Sequence, residues 1–424
     1  MPRVSRGWLR TPSGKAGGEY DERKDCVENF GNAIEELSAA HGGRGCVVLI
    51  DEYDDPVATL LHKPAEAEAV REMLAAFYRQ MKDRTENIRF LMITGVSKFT
   101  KMSVFSALSN LVDLSFRDEY ATMLGYTEEE LDEYFDEPMH AHAKLMGLEY
   151  GAYRAELKRW FNGYRFGQEC PDTVYNPVSV GANLAYPQRV FQNYWSTTGK
   201  SSMLMNFLKQ GEYLSQDLEN LPGVFEQEFD AVDIRDLRTV PMLYQTGYLT
   251  IGGYNPLSRL YTLRVPDEEV RQDLSSLTAA VIARKNTNWV SALGGRLLGA
   301  RWPEFFAGLK SLYAGLPYGP KEASVHEYSY ERVLMTLLRS QGVSCRAEDR
   351  QANGQADVVA EHPCGIYVFE LKVGESAEAA IAQVKAKGYD APYRADARPV
   401  WLIGLSFDPE TRQLADASAV NNQP

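Results

Sequence analysis

Apolar positions along the chain predict helices that alternate with buried strands. Residues 21–40 and 65–84 carry apolar side chains at helical spacing, whereas residues 46–50, CVVLI, form an uninterrupted apolar run. Such a run is typical of a parallel strand that is buried on both faces. Ile88–Thr94 has the same character. The alternation indicates an α/β fold.

A second group of elements is predicted near the C-terminus. Residues 356–362 and 366–373 have strand character and flank Pro363–Gly365, which predicts a hairpin with a tight turn. Helical spacing appears before this hairpin and again after it, and a further strand closes the group. Those three elements are expected over His326–Arg339, Ser376–Lys387 and Arg398–Phe407.

Composition limits the possible partners and the compartment. A net charge of −13 on 424 residues argues against a general polyanion-binding surface, so nucleic-acid contact should be local or metal-assisted. Five cysteines without a Cys-x-x-Cys pair indicate neither a disulfide framework nor a zinc site. No apolar run is as long as a membrane span, and the start lacks a signal peptide's apolar core. We expect a cytoplasmic protein without membrane contact.

The strand at 366–373 carries the candidate chemistry. Because strand side chains alternate between faces, Glu370 and Lys372 share one face. Asp357 approaches Glu370 if the hairpin pairs in register. Two adjacent carboxylates repel each other, and a shared divalent cation relieves this repulsion, so the pair predicts a Mg²⁺ or Mn²⁺ site. The Lys372 ammonium would orient or activate a water, or neutralise charge on a phosphate.

Further candidates lie on the two helices that flank the hairpin. Glu327 and Glu331, four residues apart, each offer a possible third carboxylate, and Gln383 faces the same way as Lys387 on the later helix. The ordered set of Glu327, Asp357, Glu370-Leu-Lys372, Gln383 and Tyr389 resembles the PD-(D/E)XK nuclease superfamily. The resemblance implies metal-dependent phosphodiester cleavage, with Gln383 and Tyr389 in supporting or substrate-contacting roles.

A different candidate site follows the strand at 46–50. Asp51 and Glu52 stand at its carboxyl end, where α/β proteins bind ligands, and Thr94 ends the next strand. This is the form of a Walker B motif with a following γ-phosphate sensor. In this form Asp51 would hold Mg²⁺ through a water, Glu52 would polarise the water that attacks ATP, and Thr94 would sense the γ-phosphate. The stretches LIDEYDDPV, ITGVSKFTKMSVFSALSNLVDLS, WFNGYRF and YQTGYLTI resemble the AAA-ATPase-like family that carries a C-terminal PD-(D/E)XK domain.

The chain departs from that family at the phosphate-binding loop. Gly14-Lys15 is followed by Ala16 rather than Ser or Thr, and Leu9 stands where the first glycine should be. We therefore expect weak or absent ATP binding. Without the strand that precedes this loop, the sheet would have open apolar faces and edges, and these predict an oligomer or a protein partner that covers them.

Taken in order, the sequence predicts five segments. An incomplete P-loop NTPase-type, AAA-like module and a helical lid precede a winged-helix-like and helical connector, which leads to a restriction-endonuclease-like α/β domain. The expected order is a disordered leader 1–20, the ATPase-like core 21–125, the lid 126–238, the connector 239–314 and the nuclease-like domain 315–424.

Three functions follow from these features. The first is a metal-dependent nuclease attached to an ATPase-like module that lacks its phosphate loop. The second is a non-catalytic module that binds nucleic acid or protein, which the acidic net charge and the absent loop favour. The third is an ATP-binding regulatory ATPase in which a partner or a cryptic loop restores nucleotide binding and drives the nuclease.

Overall fold

The computed structural model describes residues 25–61, 63–98, 111–195, 208, 214–230, 238–316, 330–351 and 354–422. The predicted leader 1–20 and Glu327 lie outside these residues. The chain divides into two compact units. The first contains the described part of Met1–Leu114 together with Phe225–Gly247, and the second contains the described part of Ser115–Val224 and Tyr248–Pro424.

The described elements mix helices and strands, as the apolar pattern predicted. The helices are α1 Cys26–Ala40, α2 Asp55–Ala58, α3 Pro64–Asp83, α4 Glu128–Tyr134, α5 Asp136–Met146, α6 Tyr150–Phe161, α7 Pro177–Ala185, α8 Thr239–Gln245, α9 Glu268–Ala283, α10 Thr287–Leu298, α11 Trp302–Ala314, α12 Tyr330–Arg339 and α13 Ala377–Lys387. The strands are β1 Cys46–Ile50, β2 Ile88–Ile93, β3 Asn162–Tyr164, β4 Val174–Tyr175, β5 Leu221–Val224, β6 Thr250–Asn255, β7 Leu260–Arg264, β8 Ser344–Gln351, β9 Gly354–His362, β10 Gly365–Val373, β11 Val400–Phe407 and β12 Leu414–Asn421.

In the first unit, β1 and β2 pair in parallel, which confirms the predicted parallel strands. The prediction that both strands are buried on both faces is wrong. Val47 lies beside Phe90 and Leu49 lies beside Met92, and all four side chains are exposed. Within the described residues this sheet has only these two strands, and its face with Val47, Leu49, Phe90 and Met92 is exposed.

Helices of the second unit begin at side-chain caps that the sequence encodes. The Thr127 hydroxyl accepts the Glu130 N–H, and the Glu130 carboxylate accepts the Thr127 N–H, which forms a capping box at the start of α4. The Asn176 side chain caps α7, where Pro177 is the first helical residue. The aromatic side chains of this region pack into one buried cluster around Tyr153, Phe161 and Phe191.

The C-terminal domain is a five-stranded sheet in the order β12-β11-β10-β9-β8. The hairpin β9–β10 is antiparallel, β10 and β11 are parallel, and the predicted helix and strand after the hairpin are present as α13 and β11. One face of the sheet packs against α11 and α12, and the other packs against α13. These two layers fix the positions of the strands that carry the candidate site.

Among the described helices, none is both long and apolar enough to span a membrane.

Candidate active site

The hairpin register brings the two predicted carboxylates to neighbouring strands. Phe369 pairs with Val358 across β10 and β9, so the next pair in the same register is Glu370 and Asp357. Asp357 also accepts the N–H of Leu371, with 2.7 Å between N and Oδ2. This bond to the backbone beside Glu370 holds the Asp357 carboxylate at the carboxyl end of β10.

The ammonium of Lys372 and the side-chain amide of Gln383 both contact the same oxygen of Glu370. The Nζ of Lys372, which lies on the same strand face, is 3.4 Å from Glu370 Oε1, and the side-chain amide of Gln383 donates a hydrogen bond to the same oxygen. The helix that carries Gln383 is fixed at both ends. The Ser376 hydroxyl caps its first turn, and Gly388 ends it in the left-handed conformation that glycine favours.

Glu370 is a buried carboxyl group, and one of its two oxygens accepts no hydrogen bond from the described residues. Glu370 is 2% exposed, and this burial raises its pKa to about 7. The nearby charge of Asp357 raises the pKa as well, whereas Lys372 lowers it. Oε1 receives Lys372 and Gln383, whereas the buried Oε2 has no hydrogen-bond partner in the described part of the chain. An orphaned carboxylate oxygen beside a second carboxylate is a suitable ligand for a hard cation.

The donor set suits Mg²⁺ or Mn²⁺ in part. Asp357 and Glu370 supply two carboxylates, but the described residues contain no group of three His, Cys, Asp or Glu side chains that could hold a metal. Glu327 lies outside these residues. Mg²⁺ usually retains several waters and takes only one or two carboxylates, so two protein ligands are compatible with its chemistry.

Tyr389 lies in a different environment from the other predicted site residues. It is buried in the apolar cluster between α13 and the sheet, together with Ile381 and Val384. The structure therefore brings Asp357, Glu370, Lys372 and Gln383 together, and it buries Tyr389 in this apolar cluster. The contribution of the Leu371 N–H was missed because a backbone donor leaves no signal in the residue type.

The second predicted site also assembles at a strand edge. The Thr94 hydroxyl donates to Asp51 Oδ1 at 2.5 Å, and Glu52, which has a positive φ of 51°, donates its N–H to the same oxygen. Asp51, Glu52 and Thr94 are exposed to solvent. Their adjacency follows from the parallel pairing of β1 and β2, because the carboxyl ends of parallel strands meet at one edge of a sheet.

Asp54 was missed in the sequence, although it anchors the loop after β2. Its buried carboxylate accepts the N–H groups of Val96 and Ser97, at 2.9 and 2.7 Å. The Tyr53 hydroxyl donates to the Ser97 carbonyl at 2.8 Å. The available signal was the second acidic pair, Asp54-Asp55, which Tyr53 separates from Asp51-Glu52.

Comparisons with known proteins agree with this arrangement. A family model described as "Predicted AAA-ATPase" matches residues 9–105, and a model of the PD-(D/E)XK nuclease superfamily matches residues 325–417. The chain is also 33% identical, over 398 residues, to a protein of Azotobacter chroococcum mcd 1 named "Uncharacterized protein in vnfD 5'region". That alignment covers 91% of this chain and 73% of the relative. No solved structure matches the chain.

Proposed function

Because this chain belongs to the family of predicted AAA-ATPases that carry a PD-(D/E)XK nuclease superfamily domain, we propose that it hydrolyses phosphodiester bonds in nucleic acid. The observation that carries the proposal is the buried Oε2 of Glu370, which has no partner among the described residues and lies on the strand beside Asp357. Asp357 and Glu370 would hold Mg²⁺ or Mn²⁺.

Each side chain has a separate task in this proposal. A bound divalent cation supplies Lewis-acid polarisation of the phosphate and lowers the pKa of a bound water. Lys372 neutralises negative charge that develops on the phosphate or orients the attacking water, from a position 3.4 Å from Glu370 Oε1. Gln383 holds Glu370 Oε1 and so leaves Oε2 for the cation.

The remaining predicted residues have subordinate parts. Glu327 is a candidate third carboxylate before α12. Tyr389 supports the site through the packing of α13 on the sheet. The ATPase-like module is proposed to act as a scaffold, because Gly14-Lys15 is followed by Ala16 rather than by the Ser or Thr of a phosphate-binding loop.

Cleavage by the purified chain tests the proposal. Single- and double-stranded DNA and RNA are incubated with Mg²⁺, Mn²⁺ or EDTA, using wild type, Asp357→Asn and the control Glu378→Gln, which changes an exposed carboxylate on α13. We expect cleavage that requires the metal, falls by at least about 100-fold in Asp357→Asn and persists in Glu378→Gln. Folded wild type that cuts none of the substrates would favour the non-catalytic binding module.

Calorimetry with ATP and Mg²⁺ tests the scaffold role of the first unit. We expect no heat of tight binding. A dissociation constant in the micromolar range that weakens in Asp51→Asn would instead favour the regulatory ATPase, with nucleotide bound at the Asp51 and Thr94 edge.

A further inference from the structure

The acidic positions of the C-terminal sheet extend to a third strand. Strands β8 and β9 pair in one register, and the pairs on either side of Glu348 place this residue opposite Asp357. These flanking pairs are Ala347 with Val358 and Asp349 with Ala356. Residues 348–351 are described by their backbone, and strand register alone places Glu348. Glu348, Asp357 and Glu370 therefore occupy one row across β8, β9 and β10.

This row lies on the sheet face that packs against α13. Residues that are directly opposite on neighbouring strands share a face, and residues two apart on one strand share it as well. Ile366 and Val368, which alternate with Glu370 along β10, belong to one apolar cluster with α13. Phe369, on the opposite face, belongs to the cluster that contains α12. Glu348 therefore occupies the same face as the candidate site, opposite to the face that α12 covers.

A buried carboxylate oxygen without a donor lies at one end of the row. Glu370 is 2% exposed, and its Oε2 accepts no hydrogen bond from the described residues. The Leu371 N–H holds the neighbouring Asp357 carboxylate, with 2.7 Å between N and Oδ2. Like charges at directly opposite strand positions destabilise a sheet, and a buried acceptor without a donor adds a further cost. A divalent cation shared by the row would relieve both.

The spacing of the three strands suits a single ion. Neighbouring strands lie about 4.8 Å apart, so the backbones at Glu348 and Glu370 are about 10 Å apart, with Asp357 between them. The two longer acidic residues stand on the outer strands of the row, and the shorter one stands on the middle strand. Side chains of these lengths can meet at one cation with the metal–oxygen distance of about 2.1 Å that Mg²⁺ requires.

We propose that Glu348 is the third carboxylate ligand of the divalent cation that Asp357 and Glu370 hold. The inference rests on the proposed nuclease function and gives β8 a part in its metal site. The competing role for Glu348 is a structural ion pair with an arginine of its own strand. Arg346 lies on the same face, where it contacts Glu361 of β9 with 3.0 Å between Nη2 and Oε1.

Mn²⁺ titration of the full chain without nucleic acid tests the proposal, with free Mn²⁺ measured by electron paramagnetic resonance. Glu348→Gln is compared with the matched control Asp349→Asn, which removes a carboxylate from the same strand but on the opposite face. We expect the Kd for Mn²⁺ to rise by about tenfold or more in Glu348→Gln and to stay at the wild-type value in Asp349→Asn. A larger loss in Glu327→Gln than in Glu348→Gln would assign the third ligand to Glu327 and overturn the proposal.

Thermal unfolding separates a metal ligand from a structural ion pair. In EDTA, Glu348→Gln should unfold at or slightly above the wild-type temperature, because it removes one of three neighbouring negative charges. A fixed concentration of Mn²⁺ should raise the unfolding temperature of wild type and Asp349→Asn more than that of Glu348→Gln. A lower unfolding temperature of Glu348→Gln in EDTA, together with unchanged Mn²⁺ affinity, would make Glu348 a structural residue and overturn the proposal.

Cleavage of nucleic acid in Mg²⁺ scores the proposed nuclease function separately. Mn²⁺ binding that depends on Glu348, without cleavage of any substrate by wild type, would keep the cation site and reject the nuclease. Cleavage at the wild-type rate by Glu348→Gln, with unchanged Mn²⁺ affinity, would keep the nuclease and reject Glu348 as a ligand.

Discussion

Lys372 Nζ lies 3.4 Å from Glu370 Oε1, and the two side chains occupy alternate positions on one face of the same strand. Lys372 is mostly buried, with 18% of its side chain exposed, so water screens the pair weakly. The ammonium therefore opposes the rise in the pKa of Glu370. In the proposed nuclease function it also neutralises charge on a substrate phosphate.

Lys372→Met should reduce metal-dependent cleavage by about 10³-fold or more, because the variant loses the group that neutralises phosphate charge. It should also weaken Mn²⁺ binding, since the pKa of Glu370 rises further when Lys372 is removed and a cation must then displace its proton. Cleavage rates and Mn²⁺ titration at pH 7 measure the two effects. Lys385→Met, a change at an exposed lysine of α13, should leave both unchanged, and equal losses in the two variants would contradict the assignment.

Gly404→Ala should destabilise the C-terminal domain and misplace Gln383. Gly404 pairs with Glu370 across β11 and β10, and an added Cβ would lie 2.0 Å from the Ala377 carbonyl oxygen at the start of α13. Because backbone cannot move aside locally, the helix must shift, at a cost of about 1–3 kcal/mol in the free energy of unfolding. Thermal unfolding and cleavage report the two consequences.

Gly295→Ala is the control for that substitution, since its Cβ meets open space and alanine favours a helix. It should raise the unfolding temperature slightly. If Gly404→Ala unfolds at the wild-type temperature and cuts at the wild-type rate, the close approach of α13 to β11 does not position the site.

Stability should fall as pH rises from about 5 to 8 because of a buried carboxyl in the second unit. Glu269 accepts the Ser179 hydroxyl at 2.5 Å and the N–H groups of Tyr194 and Trp195, yet burial raises its pKa to about 7 from an ordinary value near 4.5. A carboxyl whose pKa is higher in the folded state stabilises the fold while protonated, so this contribution is complete below pH 4.5 and is lost through pH 7.

Glu269→Gln keeps a neutral group in that position and should flatten the pH dependence of the unfolding temperature. The contribution of Glu269 is on the order of 1–3 kcal/mol, and Asp267 and Asp273 nearby, whose pKa values burial also raises, account for a remaining slope. Thermal scans between pH 5 and 8 provide the measurement, with the exposed Glu304→Gln as control. A slope identical to that of wild type would exclude Glu269 as its source.

Leu49→Lys should leave the stability of the first unit within about 0.5 kcal/mol of wild type and reduce self-association. Leu49 is 69% exposed and lies beside Met92 on the uncovered face of the two-stranded sheet. Leu61→Lys, at a buried position, should by contrast unfold the unit. Chemical denaturation and sedimentation measure both properties. Strong destabilisation by Leu49→Lys would mean that other residues cover this face, and unchanged self-association would mean that the face takes no part in it.

The sequence alone determined the local elements of the nuclease-like domain. The hairpin β9–β10, the helix α13 with Ser376 and Gly388 at its ends, and the strand β11 were all predicted, because period, turn residues and caps act over a few neighbouring positions. The shared face of Glu370 and Lys372 followed from strand geometry in the same way.

Tertiary structure decided what each element meets. Gln383 reaches Glu370 because Gly404 admits α13 close to the sheet, and Tyr389 packs in the apolar cluster between α13 and the sheet. The run CVVLI could not reveal that one of its faces is uncovered, because an apolar strand has the same composition whether or not another layer packs on it. Packing and hydrogen bonds between distant parts of the chain also determine the burial of Glu269 and two bulges beside β7. Neither feature could be predicted, because contacts between residues far apart in the chain leave little trace in the local sequence.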